Sequence, residues 1–145
     1  MKLLYILLLI GLFSCGTKKN ESENKNMNTD VPRAVLGDLS RETPSTTINN
    51  AFIENGVMHL NVSYSGGCED QTFELIGDKN LMKSMPPKRT LKLIRNNKGD
   101  NCRELITEDL KFDLSQVIYD DDPKKQIIFI LSGTDMELKL ISENQ

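Results

Sequence analysis

The clearest alternation of apolar and polar positions in the chain runs through residues 57–64. Four apolar side chains, those of Met58, Leu60, Val62 and Tyr64, fall on one face of this segment, and His59, Asn61 and Ser63 fall on the other. A period of two residues is typical of a strand with one buried face. The segment therefore predicts a half-buried β-strand.

A turn signal stands directly before this strand. The short apolar run at residues 51–54 ends in Asn55-Gly56, a dipeptide that readily takes the positive φ angles of a two-residue hairpin turn. We therefore expect the run and the strand that follows it to pair as an antiparallel hairpin.

Further short apolar runs follow, separated by Gly, Asn, Asp and Pro, at residues 71–76, 90–94, 105–106, 110–114, 127–131 and 136–141. No convincing apolar stripe at helical spacing competes with them, although residues 80–84 allow a short helix. About seven strands at this spacing predict an all-β domain over residues 48–145. The expected architecture is an antiparallel β-sandwich of the immunoglobulin-like or Greek-key type, or a partly open barrel.

The amino terminus predicts export. After Lys2 comes an apolar run over residues 3–13, which is shorter than the roughly 20 residues of a membrane-spanning helix and therefore predicts a signal peptide over residues 1–14. Its end, Leu-Phe-Ser-Cys at 12–15, resembles the lipobox of bacterial lipoproteins. That resemblance implies cleavage before Cys15 and a diacylglycerol on the Cys15 thiol. The alternative is an ordinary cleaved signal with an incidental cysteine.

The lipobox resemblance also predicts a location. Stable anchoring needs at least two acyl chains, which the resemblance implies through further acylation of the new amino terminus. Gly16 stands where many inner-membrane lipoproteins carry Asp, so we expect an outer-membrane anchor, on either side of that membrane. Residues 15–47 would then hold the lipidated Cys15, a polar tether and a lead-in at 31–47 that either docks on the domain or continues the linker.

The charge balance excludes one class of partner. The chain has 18 Lys and Arg against 21 Asp and Glu, a net charge of −3, and loss of the signal would remove Lys2 as well. Such a chain offers no basic surface for nucleic acid. The sequence therefore predicts no DNA or RNA binding, and no cofactor motif stands out.

Three cysteines, Cys15, Cys68 and Cys102, pose a pairing question. With Cys15 lipidated, Cys68 and Cys102 remain as an even pair in an oxidising compartment, which favours a disulfide. A metal site and a reactive thiol are the alternatives, but no histidine or further cysteine stands close to either one. Gly66-Gly67, just before Cys68, is expected to turn the chain rather than bind phosphate.

Two segments around these cysteines resemble a known family. The stretches SYSGGCEDQTFELIG and LIRNNKGDNCRELITEDLKFDLS are similar to small lipoproteins of Bacteroidetes, including the NigD-like group. The shared elements are Gly-Gly-Cys at 66–68, Gly-Asp-x-Cys at 99–102 and Phe-Asp-Leu at 112–114. The resemblance implies a β-sandwich with a cysteine pair, and it implies no established activity.

Candidate chemistry is sparse. His59 is the single histidine, so any mechanism that uses a histidine base must use it. Its place on the polar side of a strand favours a solvated residue, and we expect no enzyme activity. Three adjacent carboxyl groups, Asp120, Asp121 and Asp122, are weak candidates for a Ca²⁺ site and are more typical of a solvated turn.

A loop with two methionines and two prolines is a candidate partner surface. It contains Met82, Met85, Pro86 and Pro87, and adaptable methionine side chains suit contact surfaces. The alternative is that these methionines pack beneath the loop. Together the patterns predict a noncatalytic, membrane-anchored interaction or accessory module with a protein partner in the envelope. The second hypothesis is a small-ligand or inhibitor module that binds through its loops.

Overall fold

The computed structural model describes residues 31–118 and 126–141. Within these ranges the chain forms eight β-strands and no helix. The strands are β1 Val35–Gly37, β2 Thr47–Glu54, β3 Val57–Gly66, β4 Thr72–Asp78, β5 Lys88–Asn96, β6 Glu104–Asp113, β7 Gln126–Leu131 and β8 Glu137–Ile141. No helix in the described part of the chain has the length and apolar character to cross a membrane.

The strands form two sheets that pack face to face. The three-stranded sheet has the order β2-β3-β6 with antiparallel pairing throughout, and the five-stranded sheet has the order β1-β4-β5-β7-β8. The β-sandwich prediction is confirmed. The five-stranded sheet is mixed, because β1 pairs with β4 and β5 pairs with β7 in parallel.

The hairpin prediction is confirmed in detail. Strands β2 and β3 pair antiparallel across Asn55 and Gly56, whose φ angles are 50° and 75°. Two positive φ angles suit the right-handed twist of a two-residue hairpin. The apolar runs at 105–106 and 110–114, predicted as separate, lie in one ten-residue strand, β6, except for Leu114, which follows the last residue of the strand. Residues 80–84 form bends and a bridge between Met82 and Lys88 in place of the helix.

The core lies between the two sheets. Alternate residues of β3 point into it, so the period of two seen in the sequence corresponds to real burial. The largest side chains with almost no exposure in this core are Phe112, Phe129, Met58, Leu60, Leu75, Leu91, Leu114, Ile127, Leu131, Val62 and Val117.

The lead-in at 31–47 docks on the sandwich. Ala34 is fully buried, and β1 extends the five-stranded sheet at its β4 edge. Before β1, Asp113 of β6 donates its backbone N–H to the Pro32 carbonyl and accepts from the Ala34 N–H, at 2.9 and 2.8 Å. One short segment therefore contacts both sheets.

After β1 the chain crosses the outer face of the five-stranded sheet as a strap, residues 38–46. The Lys92 ammonium, which points away from the core, donates to the carbonyls of Leu39 and Arg41 at 2.8 and 2.7 Å. Ile76 and Ile94 also alternate away from the core, yet they are only 1% and 4% exposed. We infer that the strap covers them, so the sandwich has a small third layer on this side.

Candidate functional site

The disulfide predicted between Cys68 and Cys102 is present, with its Cα atoms 5.9 Å apart. It ties the loop after β3 to the loop before β6. Gly66 ends β3, and Gly67 follows with φ of 112°. Side chains rarely adopt this conformation, so glycine is required for the turn that leads into Cys68.

Asp100 organises the same loop. One carboxylate oxygen accepts the backbone N–H groups of Cys68 and Glu69 and the Gln71 amide, at 3.1 to 3.2 Å, and the other accepts the Cys102 N–H at 2.8 Å. These hydrogen bonds lower the pKa of the Asp100 carboxyl below its ordinary value. The bond from the Cys102 N–H has the largest effect, and burial opposes part of the lowering. The ionised carboxylate thus holds both halves of the disulfide loop.

We expect Asp100→Asn to reduce the loss of folding stability that occurs as the pH falls. A lowered folded-state pKa means that ionised Asp100 stabilises the protein above its unfolded pKa, and that this contribution is lost as pH falls through the folded value. The variant should have a lower thermal midpoint than the wild type at pH 7. Its thermal midpoint should also fall less than that of the wild type between pH 5 and pH 2. Circular dichroism melts measure both. Asp70→Asn, which removes an exposed carboxylate near the same loop, should keep the wild-type decline.

The Cys68 and Cys102 sulfurs and the Asp100 carboxylate lie within 4.8 Å of one another, a grouping that could suit a metal ion. The two sulfurs are bonded to each other, however, and the carboxylate accepts four hydrogen bonds. No thiolate is available, and the carboxylate oxygens are occupied by the loop. The cluster is therefore structural in the oxidised protein.

Arg95 links this loop to the strap. Its guanidinium is almost completely buried and donates to the Gln71 amide oxygen at 2.6 Å and to the carbonyls of Ser65 and Ser45 at 3.0 and 2.9 Å. It also lies over the Tyr64 ring, 5.0 Å from the centroid. The guanidinium joins β3, β5, the disulfide loop and the strap at one point.

Tyr64 connects the core to the edge of the three-stranded sheet. Its hydroxyl donates to the Glu108 carboxylate at 2.7 Å. Burial raises the pKa of Tyr64 to about 12, and the Glu108 hydrogen bond adds to the shift. The hydroxyl is therefore a fixed donor at neutral pH.

The outer face of the three-stranded sheet carries a polar network. We call this surface the ladder face; it consists of Asn49, Phe52, His59, Asn61, Ser63, Leu105, Thr107, Asp109 and Lys111. Asn49 donates to Asn61 and Ser63 at 3.0 and 2.7 Å. Asn61 donates to Asp109 at 2.7 Å, and the Ser63 and Thr107 hydroxyls lie 3.0 Å apart. Hydrogen bonds thus run across all three strands.

Apolar side chains flank this network. Phe52 is 48% exposed and Leu105 is 74% exposed. The Phe52 and His59 rings are stacked, with centroids 4.5 Å apart and planes 12° apart. His59 lies on the outward face of β3, as the alternation predicted, and its ring packs on an aromatic side chain. The ladder face therefore combines exposed apolar groups with side chains that are already ordered.

The loop with two methionines lies on the surface. Met85 is fully exposed and Met82 is 49% exposed, so neither is packed beneath the loop. The peptide bond between Met85 and Pro86 is cis. Cys15 and the three adjacent carboxyl groups, Asp120, Asp121 and Asp122, lie outside the described residues.

Most of the ladder face could not be predicted from the sequence. The Asn55-Gly56 turn sets Phe52 opposite His59 and could have identified that pair, since a two-residue hairpin fixes the register. No local signal places Asp109 opposite Asn61, because β6 follows β3 only after an excursion into the other sheet.

Comparison with known proteins identifies solved structures with a similar fold. No family model matches the chain, and no curated protein matches it. A NigD-like immunity protein from Bacteroides caccae is similar in structure, with 12% identity and a TM-score of 0.61, over 78% of this chain and 64% of that one. A protein of unknown function from Bacteroides vulgatus has 16% identity and a TM-score of 0.50, over 79% and 58%.

The chain thus spans less than two thirds of the length of either protein. At such low identity the likeness concerns the fold alone. The resemblance to NigD-like proteins inferred from the sequence is confirmed at that level: this chain shares its β-sandwich with a NigD-like protein of Bacteroides.

Proposed function

We propose that this protein is a noncatalytic interaction module of the cell envelope, and that it binds a protein partner through the ladder face. The observation that carries the proposal is the combination of exposed Phe52 and Leu105 with a hydrogen-bonded polar network on the outer face of one sheet. Aromatic side chains are enriched at protein interfaces, and ordered polar groups fix the orientation of a partner.

The order of the network favours binding. Asn49, Asn61 and Asp109 are held by one another, so less side-chain entropy is lost when a partner covers them. Immobilising a free side chain costs about 0.5–1.5 kcal/mol on association. A preordered face avoids part of that cost and leaves more of the contact energy for affinity.

The surroundings of His59 also support a role without catalysis. The single histidine of the chain stacks on Phe52, and its cross-strand neighbour on β6 is Lys111. Among the described residues, no hydrogen bond joins His59 to a hydroxyl or a carboxylate, as a nucleophile–base pair would require. The His59 ring is placed to contact a partner protein.

The anchoring part of the proposal rests on the lipobox at residues 12–15. A lipid on Cys15 would tether the sandwich to the outer membrane through polar residues 16–30 and bring the ladder face to partners in the envelope. The similar Bacteroides caccae protein is called an immunity protein, and we propose that the molecule bound by this chain is a protein.

The test is crosslinking of the full chain in its own envelope, followed by purification. Phe52→Ser with Leu105→Ser removes both exposed apolar side chains of the ladder face, and the partner should be lost. Met82→Ser with Met85→Ser is the matched control, because it removes two exposed apolar side chains elsewhere, and the partner should be retained. Thermal melts check that both variants fold.

The reverse pattern would place the partner site on the loop that contains Met82 and Met85. Recovery of the same partner with both variants would contradict a role for either surface. Cys15→Ser tests the anchoring separately, since it should move the protein from the membrane fraction to the soluble fraction.

A further inference from the structure

The disulfide loop holds three metal-ligating groups close together. The Cys68 and Cys102 sulfurs and a carboxylate oxygen of Asp100 lie within 4.8 Å of one another. In the oxidised protein the two sulfurs are bonded to each other, so neither is a thiolate. Reduction of that bond would leave two thiols beside a carboxylate, and cysteine and aspartate are both ligands of Zn²⁺ in proteins.

Asp100 is held beside the sulfurs by contacts that do not involve the disulfide bond. Its Oδ2 atom accepts the backbone N–H groups of Cys68 and Glu69, and its Oδ1 atom accepts that of Cys102. Reduction therefore leaves the carboxylate hydrogen-bonded to the backbone of both cysteines. Among the described residues, Oδ1 accepts this one hydrogen bond. Since a carboxylate oxygen has two lone pairs, Oδ1 keeps one for a cation.

The spacing of the two cysteines suits a single tetrahedral ion. Two thiolates on one Zn²⁺ lie about 3.8 Å apart, because each Zn–S distance is about 2.3 Å. The Cα atoms of Cys68 and Cys102 are 5.9 Å apart, so rotation of the side chains can separate the sulfurs to that distance without a large movement of the backbone. Asp100 supplies a third ligand, and water supplies the fourth from the exposed Cys68 side of the cluster.

The exposed side of the cluster is accessible and mainly acidic. Cys68 is exposed and lines a groove together with three carboxylates, those of Glu69, Asp70 and Glu108. Arg103, which follows Cys102 and is also exposed, adds one basic group beside these three acidic ones. A groove lined mainly by carboxylates attracts cations. Both a small thiol reductant and a metal cation can therefore reach the Cys68 sulfur.

We propose that reduction of the disulfide by a dithiol creates a site for Zn²⁺ or a similar thiophilic divalent cation, with Cys68, Cys102 and Asp100 as its protein ligands. A thiolate of the reductant attacks the exposed Cys68 sulfur, and Cys102 leaves as a thiolate. The second thiol of the reductant then releases Cys68, so that the protein gains two electrons and two protons and the reductant becomes a disulfide. The cation displaces both protons when it binds. The site is independent of the proposed interaction role.

Metal titrations of the reduced and oxidised protein test this site. The protein is the chain of residues 16–145, which contains every described residue and no cysteine other than Cys68 and Cys102. It is reduced with a dithiol and freed of the reductant without oxygen. Calorimetry should show one Zn²⁺ per chain, bound at least about 100-fold more tightly than by the oxidised protein, because thiolates supply most of the affinity. Cd²⁺ should produce the ultraviolet absorption band of a metal–thiolate bond.

Variants separate the ligands from their surroundings. Asp100→Asn should weaken Zn²⁺ binding by the reduced protein about tenfold or more, since a charged ligand is lost. The Cd²⁺–thiolate band should persist in this variant at higher Cd²⁺ concentration, which shows that its thiols are still close together. Asp70→Asn removes a carboxylate from the groove but no ligand, and its affinity should stay within about twofold of the wild type. Saturating Zn²⁺ should raise the thermal midpoint of the reduced wild type by about 5 °C or more.

Three results would overturn the proposal. One is the absence of a Cd²⁺–thiolate band in the reduced protein, and another is equal Zn²⁺ affinity of the reduced and oxidised forms. The third is one ion for every two chains together with a dimer in sedimentation, because the thiols would then bind metal between chains. Wild-type affinity of Asp100→Asn would remove the carboxylate from the ligand set and contradict the site as assigned. Partner capture by the ladder face tests the proposed function separately from all of these outcomes.

Discussion

Replacing Cys68 and Cys102 by Ser is expected to lower the free energy of unfolding by about 3–4 kcal/mol. The bridge closes a loop with a sequence separation of 34 residues, and the chain-entropy model assigns a loop of this size a stabilisation in that range. For a domain of this size the thermal midpoint should fall by about 12 °C or more. Differential scanning calorimetry of the oxidised wild type and the double variant measures both quantities.

The folded structure should change little in the double variant. Asp100 still accepts the backbone N–H groups at positions 68, 69 and 102, and these hydrogen bonds do not depend on the sulfurs. Reduced wild-type protein is the matched control and should resemble the variant. If the midpoints of oxidised and reduced protein differed by less than about 3 °C, the disulfide would have no substantial stabilising role.

Arg95→Met is expected to cost about 3 kcal/mol or more of stability. The guanidinium supplies the hydrogen bonds accepted by the Ser45 and Ser65 carbonyls and by Gln71. These three hydrogen bonds are part-buried, and a hydrogen bond that involves a charged group contributes about 1.5–3 kcal/mol. Methionine restores much of the volume but none of the donors. Urea unfolding measures the loss, and hydrogen exchange in residues 38–46 shows whether the strap detaches.

Two further substitutions isolate the cause. Arg95→Lys keeps the charge but cannot reproduce the planar fork of donors, so its stability should lie between wild type and Arg95→Met. Lys92→Met removes a more exposed donor to the same strap and should have a smaller effect. Equal stability of wild type and Arg95→Met would show that the buried guanidinium is not what holds the strap.

The features predicted from the sequence are local ones. The β2–β3 hairpin follows from an alternating run beside Asn55-Gly56, and the disulfide follows from a count of three cysteines. The two apolar runs in β6 looked separate because Glu108, on the core side of the strand, is polar. Its carboxylate reaches the rim and accepts the Tyr64 hydroxyl, so a charged residue occupies an inward position that the pattern treats as a break.

The features not predicted depend on distant residues. The parallel pairing of β1 with β4 places Val35 beside Ile76, and no short pattern encodes that route. The sequence did not indicate that Arg95 is a buried cation, because its acceptors, Ser45, Ser65 and Gln71, come from three separate segments. The ladder face joins side chains from β2, β3 and β6, and its network exists only once these strands are in register.

The segment from Pro32 to Gly37 has a mechanical consequence. It is bonded first to β6 in one sheet and then to β4 in the other. A pulling force applied upstream of Val31, as a membrane tether would exert, acts on the two backbone hydrogen bonds at Asp113 before it reaches β1. Among the described residues, the first contact to break under tension would therefore be the pair of hydrogen bonds at the end of β6.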